Sequence, residues 1–253
     1  MPRDRSPNRS LPLAPTRSRW TPELLAAVAE GERRALRPHF DRGEVGAIDA
    51  AAAASARAAE LDRAALAREP PPSPIACQKG CSACCVSKVV VVAPEVIRIA
   101  DHLRRTRDAE ALSALVARVR AADERTRGLT RHERASAGVS CPLLVDDACS
   151  IHEVRPLICR GWTSLDVDAC TEHFTDPEHA PVPPAFAPAY ELASAVLAGL
   201  GRAAIDAGLD GSLLELVAAL RIALERPNAA ARWLSRLPVF STARDDERAG
   251  DTA

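Results

Sequence analysis

The chain has 253 residues, 47% of them hydrophobic, and its 33 basic and 34 acidic residues leave a net charge of −1. That length and apolar content can bury a core without covalent staples, and so balanced a charge gives no electrostatic footprint for nucleic acid or an anionic membrane surface. No apolar run approaches the roughly 20 residues of a bilayer-spanning helix, and none follows the basic N-terminus as a secretory signal requires, so the expectation is a cytoplasmic protein without nucleic-acid or membrane partners.

Residues 1–19 hold five arginines and four prolines and read as a disordered basic tail. Order begins at Trp20. Thr21-Pro22-Glu23 sets an N-cap before a proline at the first helical position, where its missing N–H costs nothing, and a helix to about Arg37 follows. From Glu44 to Arg68 alanine dominates and Val45, Ile48, Leu61 and Leu66 are the sparse apolar contacts, which predicts a helix with a thin apolar face. The run Pro70-Pro71-Pro72-Ser73-Pro74 ends it as a stiff linker and closes an N-terminal helical segment, 20–69.

Val89 to Val92 is a β-branched run that fits a strand, and Pro94-Glu95 opens a helix carrying Val96, Ile99, Ala100 and Leu103. A second helix, from about Asp108 to Arg127, aligns Leu112, Leu115, Val116 and Val119. Cys141 to Ile151 reads as a hairpin whose turn is Asp146-Asp147. Phe186, Tyr190, Ala193, Leu197, Leu200 and Ala204 recur at helical spacing up to a stop at Gly208. Leu213, Val217, Leu220 and Leu224 mark another helix, ended before Pro227, and a last short one carries Trp233, Leu234 and Leu237. The expected fold is mainly α with a small β-hairpin: C-terminal helices at 185–240 and N-terminal ones flank a cysteine-rich metal-binding module at 77–175, and 241–253 is a disordered tail.

All eight cysteines fall inside that module, as Cys77-x3-Cys81-x2-Cys84-Cys85, Cys141-x7-Cys149 and Cys159-x10-Cys170. Packing does not ask for four cysteines within nine positions, and in a reducing cytosol such thiols stay free for metal. Thiolate suits zinc and iron-sulfur clusters and is a poor match for magnesium or calcium. Eight thiolates divide into two four-ligand sites; the alternative is one four-cysteine cluster with the remaining thiols structural or redox-active. Neighbouring side chains diverge, so one of Cys84 and Cys85 bridges or serves a second metal. The Cys77-x3-Cys81-x2-Cys84 spacing is also that of radical S-adenosylmethionine enzymes, but the repeated βα pattern of their barrel is missing, and the isolated Gly80, Gly138 and Gly161 form no nucleotide-binding loop.

The whole constellation, including Cys141-Pro-Leu-Leu and Cys149-Ser-Ile-His152-Glu-Val-Arg155-Pro156-Leu-Ile-Cys159-Arg160, resembles the YkgJ-like cysteine-cluster family, described as zinc- or iron-chelating proteins. The resemblance spans about 77–175 and implies that Cys77, Cys81, Cys84, Cys85, Cys141, Cys149, Cys159 and Cys170 are metal ligands, with Arg155-Pro156-x2-Cys159-Arg160 as the hallmark. His152 stands where the family has a tyrosine and is read as one ring replacing another, with a ligand role through the zinc-knuckle spacing Cys149-x2-His152 as the alternative. The implied cofactor is an iron-sulfur cluster or Zn2+, iron-sulfur ahead because every strong candidate is a thiolate. Two zinc ions on eight thiolates carry a formal charge of about −4, which Arg155 and Arg160 are placed to offset. Arg118, remote in sequence from any cysteine, is the matching control, while Lys79, Lys88, His173 and His179 read as solvated.

Family branches resembling flagellin lysine N-methylases and iron-sulfur oxidoreductases make a cluster-dependent enzyme one expectation. A zinc-stapled interaction module with an unknown protein partner is a second, and a metal-handling protein with exposed thiols a third. No residue stands out as catalytic.

Overall fold

The computed structural model describes residues 20–245 and residue 247, so the basic tail expected at 1–19 lies outside the described residues. Thr21 caps α1 (Pro22–Leu36) by accepting the Leu24 N–H. A 3-10 turn leads into α2 (Gly43–Arg68), which buries Ala47, Ala50, Ala51, Ala54, Ala58, Leu61 and Ala65. This small-residue stripe lets neighbouring backbones approach closely, so the thin apolar face still packs.

Beyond the proline linker, Ala83–Val86 makes a 3-10 turn and β1 (Val90–Val91) is the core of the expected strand. The chain continues through α3 (Ala93–Thr106), α4 (Ala109–Thr126) and α5 (Arg131–Ser136). The hairpin is β2 (Leu144–Val145) and β3 (Ala148–Cys149), followed by α6 (Leu157–Gly161) and α7 (Val167–Thr175). The C-terminal part comprises α8 (Ala187–Asp206), β4 (Leu214–Glu215), α9 (Leu216–Glu225) and α10 (Ala229–Leu234). The fold is mainly α, with two small antiparallel sheets, β1 with β4 and β2 with β3.

Two C-terminal expectations change. Leu213 and Leu214 are not helical, because Leu214 pairs with Val91 and Glu215 caps α9 by accepting the Ala218 N–H at 2.7 Å. Residues 241–245, expected in the tail, form a 3-10 turn and an extended end: Ala243 is buried and the Asp245 N–H donates to the Leu213 carbonyl at 2.9 Å. Lys88 holds this end through Asp245 at 2.7 Å and Glu247 at 2.9 Å. Partners distant in sequence order it, which local composition does not reveal.

The long α8 is the hub, with α1, α2 and α6 packed on it and Leu192, Val196, Leu197, Leu200, Ala203 and Ala204 buried. Gly161 allows the α6 contact, since a Cβ there would sit 2.7 Å from Ala193 Cβ and 2.8 Å from the Ala189 carbonyl oxygen. On the other side α3 packs on α2 and α9, and α4 packs on α9. The segment 77–175 is therefore divided in space: its two long helices join the helical body, and the cysteines lie on what precedes and follows them. No helix among the described residues is long and apolar enough to cross a membrane.

Candidate metal centre

The first cysteine stretch is built of tight turns. Cys81 N–H donates to the Gln78 carbonyl at 3.1 Å, and Gly80, with φ 90°, supplies the positive angle that this turn needs at its third position. Cys84 and Cys85 share the next 3-10 turn, closed by Cys85 N–H to Ser82 O at 2.9 Å and Ser87 N–H to Cys84 O at 3.0 Å. Ser82 Oγ donates to Asp147 at 3.1 Å and so ties this stretch to the hairpin tip. There Asp146 and Asp147, with φ 49° and 56°, have the two positive angles of a type I′ turn.

Long-range contacts sort the thiols into two sets. Ser164 N–H donates to Cys77 Sγ at 3.2 Å, its carbonyl accepts the Ala76 N–H at 2.9 Å, and its side chain lies beside Cys170. Helix α7, which carries Cys170, packs on the turn that carries Cys84. Cys170 is accordingly within electrostatic reach of Cys77, Cys81 and Cys84. In the second set, Cys141 N–H donates to the Cys85 carbonyl at 2.8 Å and the Cys141 carbonyl accepts the Leu144 N–H at 3.1 Å. Leu144 in turn pairs with Cys149 across the hairpin. Cys159 on α6 interacts with Cys141 and Cys149 and also reaches Cys84 across the boundary between the sets, and Cys85 interacts with Cys141 and Cys159. The two sets meet at Cys84 and Cys85, whose thiols hydrogen-bond each other.

The Cys85 hydrogen bond lowers Cys84 to about 7 and the same bond raises Cys85. Burial pushes Cys77 and Cys170 up, takes Cys141 to about 11 and drives Cys159 well above the ordinary thiol range. Thiols so held keep their protons until a cation displaces them.

Arginines stand beside each set. Arg155 lies within electrostatic reach of Cys77 and Cys84, and Arg160 of Cys149 and Cys159. Arg160 also clips the preceding turn by donating to the Glu153 carbonyl at 2.7 Å. Among the described residues Arg155 Nε, Arg160 Nε, Trp162 Nε1 and Thr163 Oγ1 are buried without a hydrogen-bond partner. Four such groups within nine residues are costly, roughly 1–3 kcal/mol for each donor left unpaired, and electron-rich sulfur is the acceptor this neighbourhood offers. Among the described residues no three Cys, His, Asp or Glu side chains already converge to hold a metal ion. The donors therefore fit a thiophilic metal in chemistry and grouping, and closing a coordination sphere requires the cysteine side chains to turn toward one another.

Residues 76–175 match the CxxCxxCC family model, a "Putative zinc- or iron-chelating domain". The matched stretch contains all eight cysteines together with α3 to α7. No curated protein and no solved structure matches the chain.

Several residues that hold this matched stretch together escaped the sequence reading. Arg134 is 2% exposed, and its Nη1 donates to the Val86 carbonyl at 3.0 Å and to the Val139 carbonyl, clamping the chain after Cys85 to the chain before Cys141. Its helix was announced by the capping box Thr130-x-x-Glu133, in which Thr130 N–H reaches Glu133 at 2.8 Å and Glu133 N–H reaches Thr130 at 3.2 Å. Glu95 is buried, accepting the Val92 N–H at 3.2 Å and the Leu157 N–H at 2.8 Å, so it anchors the first turn of α6. Burial raises its carboxyl to about 7.

Further expectations are settled by position. Arg118 is no remote control, because its Nε donates to the Pro142 carbonyl at 3.4 Å, next to Cys141. Lys88 is paired rather than solvated, and His173 is buried with its ring edge-on to Phe174. Lys79 and His179 are exposed, as expected. The His152 ring is also exposed, and the Arg155 charge lowers its pKa and favours the neutral form.

Proposed function

We propose that the eight cysteines of the matched stretch are the ligands of a thiolate metal centre, with iron-sulfur as the first reading and zinc as the second. The observation that carries the reading is that thiols from two stretches separated by two long helices lie within electrostatic reach of one another. Iron-sulfur leads because all eight candidate donors are thiolates. The Arg155 and Arg160 charges and the Ser164 N–H donated to Cys77 also favour added negative charge on such a centre. Zinc is favoured by a different observation: each set joins residues from before α3 to residues after α4, which is what a structural staple does.

Ligation by all eight cysteines leaves no coordination position for a substrate. Electron transfer or stapling of a protein-binding module in the cytoplasm therefore fits better than a methylase-like reaction at the metal. Anaerobic purification followed by metal and acid-labile sulfide analysis and visible absorption tests the reading. Iron with sulfide gives a coloured protein and zinc thiolate a colourless one, in both cases with thiols protected until chelation. Normally folded, metal-free protein with eight freely reactive thiols overturns the proposal.

A further inference from the structure

The proposed thiolate centre can be resolved into its individual sites, and this assignment rests on that reading. We infer that the eight cysteines form two separate four-thiolate sites, Cys77/Cys81/Cys84/Cys170 and Cys85/Cys141/Cys149/Cys159, each taking one tetrahedral thiophilic ion or one cluster. The boundary between them is the peptide bond joining Cys84 to Cys85.

Backbone geometry carries the partition. Ser164 touches both ends of the first set, by N–H to Cys77 Sγ at 3.2 Å and by its side chain to Cys170. Helix α7, which carries Cys170, packs on the 83–86 turn, where Cys84 is within its electrostatic reach, and the Gly80 turn folds the chain back so that Cys81 is within reach of Cys77. In the second set the Cys141 N–H to Cys85 carbonyl bond at 2.8 Å fixes those two residues together. The hairpin register brings in Cys149, and Glu95, holding the Leu157 N–H at 2.8 Å, sets the first turn of the helix that carries Cys159.

Sequence order does not produce this sorting. The dense first cluster contributes three thiols to one site and its fourth, Cys85, to the other, while Cys159 and Cys170, eleven residues apart, go to different sites. Consecutive residues seldom reach one ion together, so the adjacent pair separates the sites and also keeps them close. The charge arrangement follows the same division, with Arg155 beside Cys77 and Cys84 and Arg160 beside Cys149 and Cys159. Each arginine presents a buried Nε without a partner, one for each site.

Cobalt(II) titration of the full chain, prepared metal-free and reduced, tests the assignment, because tetrathiolate cobalt has intense sulfur-to-metal charge-transfer absorption. Two equivalents are expected in the unaltered chain and one in Cys81→Ser or Cys149→Ser. Cys81→Ser/Cys170→Ser is expected to keep one tetrathiolate ion, and Cys81→Ser/Cys149→Ser none. Peptide-resolved alkylation of loaded Cys81→Ser should find Cys85, Cys141, Cys149 and Cys159 protected and Cys77, Cys84 and Cys170 reactive. Cys149→Ser should give the mirror pattern.

A same-set double variant that loses both ions, or a protected set that mixes the two groups, overturns the partition even when the unaltered chain binds metal. Failure of the unaltered chain to bind any thiophilic metal overturns the thiolate centre itself, so the two failures are distinguishable. Should a variant not fold, the unaltered chain at one equivalent of cobalt serves instead: protection confined to one of the two named sets supports the assignment, and any other set of four, or all eight at once, overturns it.

Discussion

The helical body around α8 and the two cysteine-bearing stretches are held together by different means. In the body, Leu197, Leu200, Val196, Leu220 and the alanine stripe of α2 lose nearly all their solvent exposure, so burial and close packing suffice. Along 76–89 and 137–175 the helices are short, the turns depend on single hydrogen bonds, and four buried donors near Cys159 lack partners. The difference teaches that the body should be ordered by itself, whereas the cysteine stretches should depend on what their thiols hold.

The largest effect should come from removing that support. Structural metal can contribute on the order of 10 kcal/mol. Chelation should abolish hydrogen-exchange protection in 76–89 and 137–175 while α3, α4, α8 and α9 keep theirs. Loss of protection in α3 and α4 together with the cysteines would break the comparison, since it would make 77–175 one cooperative unit.

The converse perturbation strikes the body. Leu200 is 0% exposed, and Leu200→Ala should cost about 2–5 kcal/mol in denaturant unfolding. Metal bound per folded chain should stay unchanged, and a drop in stoichiometry would show that the two regions are not separable in this way.

Glu95 joins the regions, and its effect depends on pH. Burial raises its carboxyl to about 7 in the folded chain, above the ordinary carboxylate value, so the folded state binds the proton more tightly than the unfolded state. Its favourable contribution is complete below the unfolded value and is lost as pH rises through about 7. Between pH 5 and 8 the unaltered protein should lose about 3 kcal/mol relative to Glu95→Gln, measured as the difference in urea unfolding. Parallel pH profiles for the two proteins would remove Glu95 as a pH-dependent link.

The smallest effect concerns charge beside the thiols. Arg160→Gln should weaken metal retention by about tenfold under chelator competition or, for an iron-sulfur centre, lower the reduction potential, because removing a positive charge disfavours an added electron. Arg105 is the better control, being exposed and, among the described residues, ion-paired with Asp101 of its own helix at 2.7 Å. Equal behaviour of Arg160→Gln and Arg105→Gln would reduce Arg160 to its hydrogen bond with Glu153.

What the sequence determined by itself is what local physics encodes. Thr21-Pro22 set the start of α1, the Asp146-Asp147 pair set the hairpin turn, and the 3.6-residue spacing of apolar groups set α3, α4 and α8. The density of cysteines pointed to thiolate chemistry for a reason equally local, since packing has no use for four thiols in nine positions. Tertiary structure alone decided that thiols of the two stretches come near one another, because α7, which carries Cys170, packs on the turn of Cys84 and Cys85, and Cys141 is held to Cys85 by a backbone bond across 56 residues of chain. It also decided that Glu95 and Arg134 lie inside the protein and that 241–245 is held against Leu213 and Lys88. Charged and polar residues carry no local sign of burial: what permits it is a partner distant in sequence, and the fold supplies that partner.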